Sequence, residues 1–573
     1  MSFTHLHLSS GFSFKYGTTL PHLLVEKARD FGMSSLALTD RDGLYGAIRF
    51  TQSCLDNDIT PILGVDMSYD NQSRITLLAT SGRGWSSLVR VITELKKYGR
   101  TCDLTFLQNN SHLTQNLLAL HGPDSEIGRA LTSRRYDKAL FIYNSTEDLF
   151  LDQAIECVSH LAPGDGPRST IHAARMLGFA RDHDLPALLT NAARMRFRED
   201  APIADILDAT RHLLPLHKSV VERKNAEAFL KSSDEMEALA EKIALAAGER
   251  HAHRLLAATR EWADRAALSP THDIGIGSIH LPEPHVVGAT SHHELTSQLR
   301  QRAISGVHWR YGKFRSDVQE RLDKELSIIE SLGYESYFLT VADITDRARA
   351  SGIRVAARGS GAGSLICHLL GISGVDPMQH GLLMERFCSP LRRALPDIDI
   401  DVESARRLEI YEMVFKRYGA ADWSKSGLIS RCATVAMVDT YRARHAIRDA
   451  GAALGMPAME IDLLAKSMPH IRAGNIEAAL NSLPELKSLN TSAPLTRATI
   501  ALAARLDGLP RHLAMHPCAM VLSDAAFLDR APVQFNAGGF PMVEFDKDDV
   551  EDIGLLKLDI LGVRMQSTIA HAI

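Results

Sequence analysis

Pro396-Asp397-Ile398-Asp399-Ile400-Asp401 alternates acid with isoleucine. On a strand, successive side chains take opposite faces. The three aspartates then share one face and the two isoleucines bury the other. A row of like charges repels itself unless a cation sits among them. A hard divalent ion such as Mg²⁺, which takes oxygen ligands, is the natural occupant. Two such ions about 4 Å apart suit an in-line phosphoryl displacement. The alternative is an exposed strand edge guarded by charge.

Two other stretches read with this one. Lys557-Leu558-Asp559-Ile560-Leu561 puts a lone Asp in an apolar strand, with Lys557 on the same face. Such a pair is expensive to bury without a partner, although an ordinary surface strand has the same pattern. Arg358-Gly359-Ser360-Gly361-Ala362-Gly363-Ser364 precedes the helix-like Leu365 to Leu370. Small residues let backbone approach an anion, N–H groups at a helix start point at phosphate, and Arg358 adds a forked donor. The same loop would also serve as a tight structural turn. It lacks the Gly-Lys-Ser/Thr of a Walker A loop.

The rest of the chain frames these motifs. Its 573 residues suggest about four domains. With 45% hydrophobic and 23% charged residues it is ordinary for a globular protein. A net charge of -5 weakly disfavours a generic polyanion binder. The seven cysteines form no C-x-x-C pair, which argues against a cysteine zinc site. Their odd, scattered set suggests reduced thiols in a cytoplasmic protein. We expect no signal peptide and no membrane span.

Residues 1 to about 265 alternate short strands (Ser35–Thr39, Pro61–Val65, Leu185–Thr190) with helices, which implies an α/β domain of barrel type. Residues 222–267 read as helical. Ser269–Thr290, with Pro270, Pro282, Pro284 and several glycines, is the best linker. Leu322, Leu326 and Ile329 fall on one face of a helix over Arg321–Leu332, and a second helix covers Val341–Ala350. Residues 403–510 read as largely helical, broken near Gly455-Met456-Pro457. Short apolar runs return from Ala519.

Gly333-Tyr334-Glu335-Ser336-Tyr337-Phe338-Leu339, the Arg358–Ser364 loop, Glu385-Arg386-Phe387 and the acidic triple come in a familiar order. Phe545-Asp546-Lys547-Asp548-Asp549 and Lys557-Leu558-Asp559 continue it. Together they closely resemble the palm of bacterial DNA polymerase III alpha subunits, the C-family DNA polymerases, over essentially the whole chain from His5. The resemblance implies an α/β multidomain protein, in which a PHP-type (polymerase and histidinol phosphatase) α/β barrel precedes a mixed α+β palm with a helical thumb insertion. The implied boundaries are a PHP-like domain at 1–268, palm at 269–430 with the linker at 269–290, thumb at 431–510, palm again at 511–562, and the start of the fingers at 563–573.

It also implies DNA-directed DNA synthesis with two Mg²⁺, for which Mn²⁺ can substitute. Asp397, Asp399 and Asp559 would be the catalytic metal ligands, with Asp401 supporting. Arg358, Gly359, Ser360, Arg386, Lys547 and Lys557 would contact the incoming dNTP. Arg444 and Arg448, one helical turn apart, would grip template phosphates; a solvated basic face is the alternative. The implied partners are primer–template DNA, dNTP, a carboxy-terminal polymerase portion, a sliding clamp and other replisome subunits, with no membrane. Family members continue well past the position of Ile573, so the chain would be truncated before the fingers. The family often has Gly-Gly after a histidine where this chain has His516-Pro517-Cys518-Ala519, which puts any role for His516 in doubt.

The PHP resemblance opens at His5-Leu6-His7 but departs at its metal ligands. Tyr16 stands for Asp, Arg41 for His, Ala192 and Arg194 for Asp and His, and Asp66 for Glu. Arginine cannot ligate a cation. It could instead fill the vacated space and neutralise Asp40 or Asp66, leaving a metal-free scaffold. A PHP phosphoesterase and a noncatalytic DNA-binding or assembly paralogue are the rival functions.

Overall fold

The computed structural model describes residues 2–573 except 71, 98, 218–219, 314, 389–395, 397, 420–430, 488 and 490–491, and it leaves out the Arg386 side chain. The chain forms two compact units, Met1–Ile274 with Val438–Leu513, and Gly275–Met437 with Ala514–Ile573.

In the first unit, strands β1 (Ser35–Arg41), β2 (Thr60–Tyr69), β3 (Ser73–Ala79), β4 (Leu117–His121), β5 (Asp152–Val158) and β6 (Ala187–Thr190) form one sheet in chain order. β1–β2, β4–β5 and β5–β6 are parallel, while β2–β3 and β3–β4 are antiparallel. Parallel neighbours need crossovers. Helix Ala47–Asp56 supplies one between β1 and β2, and Thr170–Asp182 another between β5 and β6. At Gly64 a Cβ would lie 2.3 Å from the Leu77 carbonyl oxygen, so only glycine lets β2 approach β3 this closely.

Residues 5–8 close the sheet. The Ala37 and Thr39 amides donate to the His5 and Leu8 carbonyls, while Ser9 donates to Ala193 and Ala193 to His7. The β1 and β6 ends are thereby bridged around a core of Leu6, Ala37, Ile62, Leu78, Leu118, Leu120, Ala154 and Leu188. This is the barrel-type sheet expected. The 222–267 expectation needs trimming, because the helices there are Ser233–Ala246 and His253–Arg265. The first starts where Ser232 and Glu235 form a capping box. Helices Ala443–Ala453 and Pro494–Arg505 belong to this unit. Ala446, Ile447, Ala450 and Ala503 share a core with Ile203, Ile206 and Leu207 of helix Ala201–His212.

The second unit is built on a seven-stranded sheet. Its strands are β7 (Val355–Arg358), β8 (Asp399–Glu403), β9 (Cys432–Thr440), β10 (Pro510–Leu522), β11 (Val533–Phe535), β12 (Pro541–Val543) and β13 (Leu556–Val563), in the order β11-β12-β9-β10-β13-β8-β7. Helix Ser316–Leu332 buries Leu322, Leu326 and Ile329, as its spacing predicts. Helices Glu335–Ala350 and Arg407–Tyr418 contribute Tyr337, Phe338, Tyr411 and Phe415 to a core shared with Ile398, Ile400, Leu558 and Ile560. The reading of 403–510 as largely helical is corrected at β9. Thr434, Val435 and Val438 are β-branched and favour a strand.

Buried titratable groups make the first unit acid-sensitive. Burial holds His5 and His121 at about 4 and His160 at about 3. A histidine depressed in the fold contributes stability above its unfolded value of about 6.5, and loses it as pH falls towards the folded value. Asp40, pushed up to about 6 by burial, works the other way and gains stability as pH falls. His7 and Glu126, both raised, join Asp40, but His172 is lowered like the other three histidines and Asp66 and Asp208 are held below the usual carboxylate range, so the balance is a net loss. The midpoint of thermal unfolding should fall steadily from about pH 6.5 to about pH 4; a midpoint that holds or rises over that interval contradicts this assignment.

Candidate active site on strands β8 and β13

Strand β13 pairs in parallel with β8, matching Ile560 to Ile400 and Leu561 to Asp401. One residue earlier, Asp559 and Asp399 therefore stand side by side on neighbouring strands, which run about 4.8 Å apart. On β8, Ile400 and Val402 are buried while Asp399 and Asp401 are half-buried; on β13, Leu558 and Ile560 are buried while Lys557 and Asp559 are half-buried. The alternation read from the sequence thus holds on both strands. Asp397 lies outside the described residues. Its flanks are gripped by one group: the Tyr337 hydroxyl donates to the Pro396 carbonyl (2.7 Å) and accepts from the Ile398 amide (3.1 Å).

The carboxylates are differently partnered. Asp401 Oδ1 accepts from Arg358 at 2.7 Å (Nη2) and 2.8 Å (Nε). Asp559 Oδ2 lies 3.4 Å from Lys557 Nζ, which also pairs with Glu551 at 2.8 Å. Asp559 Oδ1 is buried with no hydrogen-bond partner among the described residues. Beside Asp399, a Cβ on Gly359 would come 3.1 Å from Oδ2, and Gly359 has φ +75°. Glycine there lets the turn after β7 lie against the carboxylate without strain.

Strand β10 runs along the other side of β13, pairing Ala519 with Asp559. It brings in two residues that sequence reasoning doubted or missed. His516 Nδ1 accepts from the Ala519 amide at 3.0 Å and lies 3.7 Å from Cys518 Sγ. Ligand atoms of His516, Cys518 and Asp559 all fall within 4.8 Å of one another. Burial holds His516 below its ordinary pKa, with Asp559 pulling the other way. Burial, then Asp559, raises the Cys518 thiol. The signal was legible, since His-x-Cys on a strand shares one face. Tyr411 also sits near Asp559, its hydroxyl buried and unpartnered among the described residues.

The glycine-rich segment corrects one expectation. Gly359–Gly363 is a 3-10 turn, and the N–H groups that open helix Leu365–Leu369 do not await phosphate. They are taken by Glu325, 1% exposed, which accepts from Leu365 N (3.1 Å), Ile366 N (3.1 Å) and Ser364 Oγ (2.9 Å), and pairs with Arg321 at 2.6 Å. A carboxylate from a distant helix does the anion's job. Among the other predicted residues, Ser360 is exposed on this turn and Lys547 opens helix Lys547–Asp552 with its side chain 57% exposed. The backbone of Arg386 ends a 3-10 turn. Arg444 and Arg448 lie in the first unit, where Arg444 donates to the Met468 carbonyl at 2.8 Å and Arg448 to Asp462 at 2.8 Å.

A family model for the bacterial DNA polymerase III alpha NTPase domain matches residues 297–562, and one for the PHP domain matches residues 5–160. An error-prone DNA polymerase of Symbiobacterium thermophilum is 32% identical over 605 residues, covering 100% of this chain and 52% of that protein. The chain carries a PHP domain and a DNA polymerase III alpha domain. An error-prone DNA polymerase of Pseudomonas fluorescens is 31% identical over 574 residues, covering 99% of this chain and 51% of that protein. The chain thus spans about half the length of the curated relatives it matches. The family implies divalent metal ions, and the β8–β13 face fits them: a buried, unpartnered carboxylate oxygen beside a second carboxylate is a ligand set for a hard cation. Among the described residues, no helix is long and apolar enough to cross a membrane.

In the PHP domain, arginines crowd the residues that remain from the family's ligand set. Arg41 Nε lies 3.3 Å and Arg74 Nε 2.8 Å from Asp66 Oδ2, and His7 Nδ1 lies 2.7 Å from Glu156. Arg41 stacks 3.3 Å over the Tyr16 ring, and Arg194 lies 4.4 Å over the same ring while pairing with Asp208 at 2.8 Å. The cavity lined by His7, Tyr16, Arg41, Asp66, Arg74 and Glu156 holds about 20 Å³, room for about one water. Arg41 neutralises Asp66 and not Asp40, whose carboxylate instead accepts from Ser10 and Ser13.

Glu325→Ala should destabilise the second unit by about 3–5 kcal/mol, because it strands the amides of Leu365 and Ile366 and leaves Arg321 only the Gly363 and Leu382 carbonyls as partners. Chemical denaturation of the variant tests this; a loss under about 1 kcal/mol would show that water replaces the carboxylate freely.

Proposed function

We propose that this chain carries the palm of a DNA-directed DNA polymerase, transferring a nucleotidyl group from dNTP to a primer 3′-hydroxyl in replication or repair synthesis. The observation that carries the reading is the β8–β13 register, which sets Asp399 and Asp559 one residue before the paired Ile400 and Ile560, with Asp559 Oδ1 buried and unpartnered among the described residues. Asp397 joins them by motif position. Two Mg²⁺, when bound, would supply charge neutralisation at the attacking and leaving oxygens. Asp397, Asp399 and Asp559 would hold those ions.

The chain's own cations would do the rest. Arg358 offers its remaining donors to the triphosphate while Asp401 fixes its orientation. Lys557, shared between Glu551 and Asp559, is already close to the reacting phosphate's place. Lys547, Arg386 and the Gly359-Ser360 backbone complete the dNTP contacts. Arg444 and Arg448 would exchange Met468 and Asp462 for template phosphates. Tyr337 would act as a positioning residue by fixing the backbone on both sides of Asp397. Primer–template DNA and dNTP are the substrates of this reading. A carboxy-terminal polymerase portion, a sliding clamp and other replisome subunits are its partners, and the cytoplasm its compartment.

Primer extension in Mg²⁺, with a relative's carboxy-terminal portion supplied as a separate chain, tests this. Asp399→Asn should lower synthesis by about a thousandfold. Tyr337→Phe should lower kcat by about tenfold to a hundredfold with KM for dNTP little changed, since misplacement by about 1 Å costs that much. Near-normal extension by Asp399→Asn would overturn the assignment.

A further inference from the structure

We infer that His516, Cys518 and Asp559 form a binding site for a soft divalent transition-metal ion of the Zn²⁺ class, separate in chemistry from the Mg²⁺ ions of the proposed reaction. The three side chains come from the neighbouring strands β10 and β13, so the sheet itself holds them together. The 3.7 Å between His516 Nδ1 and Cys518 Sγ matches the edge of a tetrahedral zinc site. Bonds of about 2.0–2.1 Å to nitrogen and 2.3 Å to sulfur give an edge of about 3.6 Å. The third ligand atom lies within 4.8 Å, so Asp559 need close by only about 1 Å, within a small side-chain rotation.

A second observation, shared with the Mg²⁺ reading, points to the same place. Asp559 Oδ1 is buried and has no hydrogen-bond partner among the described residues, while Lys557 occupies only Oδ2. A buried carboxylate oxygen left unpaired is costly, and a cation at the triad would satisfy it. Nitrogen and thiolate donors select Zn²⁺ or Co²⁺ over Mg²⁺, which takes oxygen. On binding, Cys518 releases its Sγ proton to solvent and ligates as thiolate, and the metal replaces the Ala519 amide at His516 Nδ1. Water would complete the fourth position. This is a mixed site, invisible to a search for paired cysteines.

Because Asp559 is common to both ion sets, zinc here would compete with the catalytic ions, a consequence that rests on the polymerase reading. The site itself does not, and direct binding separates the two. Co²⁺ titration of the chain, without DNA or dNTP, should give tetrahedral visible bands and a thiolate-to-cobalt charge-transfer band. Among the described residues the other six cysteines are buried, so Cys518 is the accessible source of that band. Competition dialysis should show Zn²⁺ affinity lowered about a hundredfold by Cys518→Ser and by His516→Gln. Loss of zinc inhibition in Cys518→Ser, with Mg²⁺-dependent extension kept, would support the competition. Absence of the charge-transfer band, or affinity unchanged in both variants, would mean an adventitious ion only and would overturn the site.

Discussion

Two carboxylates on adjacent parallel strands repel one another, and the second unit is organised around holding them there. The β8–β13 pairing fixes Asp399 beside Asp559 through backbone alone, so side-chain repulsion cannot separate them without breaking the sheet. The apolar faces of the same strands supply the restoring force, with Ile400, Leu558 and Ile560 buried against Tyr411 and Phe415. Lys557, which Glu551 also holds, and Arg358 offset part of the charge. Asp559 Oδ1 remains buried and unpartnered among the described residues. Strain of this kind persists where function uses it.

Much of this was legible in the sequence because it is local. The period-two alternation of Pro396–Asp401 and of Lys557–Leu561 needs only strand geometry, and the structure keeps it from Asp399 on β8 and from Lys557 on β13, Asp397 lying outside the described residues. What was not legible is long-range. Nothing near Gly359–Ser364 says that Glu325, some forty residues away, will take the amides offered to a phosphate. β9 was lost among helices because its sequence, Cys432-Ala433-Thr434-Val435-Ala436, suits a helix nearly as well as a buried strand. His516 and Cys518 carried a signal in their spacing, but the significance of that spacing depends on β10 lying beside Asp559.

The first unit holds the residues at its PHP ligand positions through ion pairs and hydrogen bonds. Asp66 keeps its place because Arg41 and Arg74 bind it, His7 because Glu156 does. Asp40, the residue the sequence left as a second candidate for Arg41, is served by two serines and remains pushed up to about 6 by burial. Arg194 likewise finds a buried partner in Asp208, a residue no local motif marks. Guanidinium–carboxylate pairs thus line this space, beside a cavity of about 20 Å³.

The account stands on Asp399 and Asp559 acting as one ligand set. Mn²⁺ binding followed by electron paramagnetic resonance measures that directly, on the chain as it is. Asp399→Asn and Asp559→Asn should each weaken Mn²⁺ binding, and the double variant should lose little more than either single one, because neighbours sharing a partner are not additive. Additive losses, or binding unaffected by either change, would contradict it.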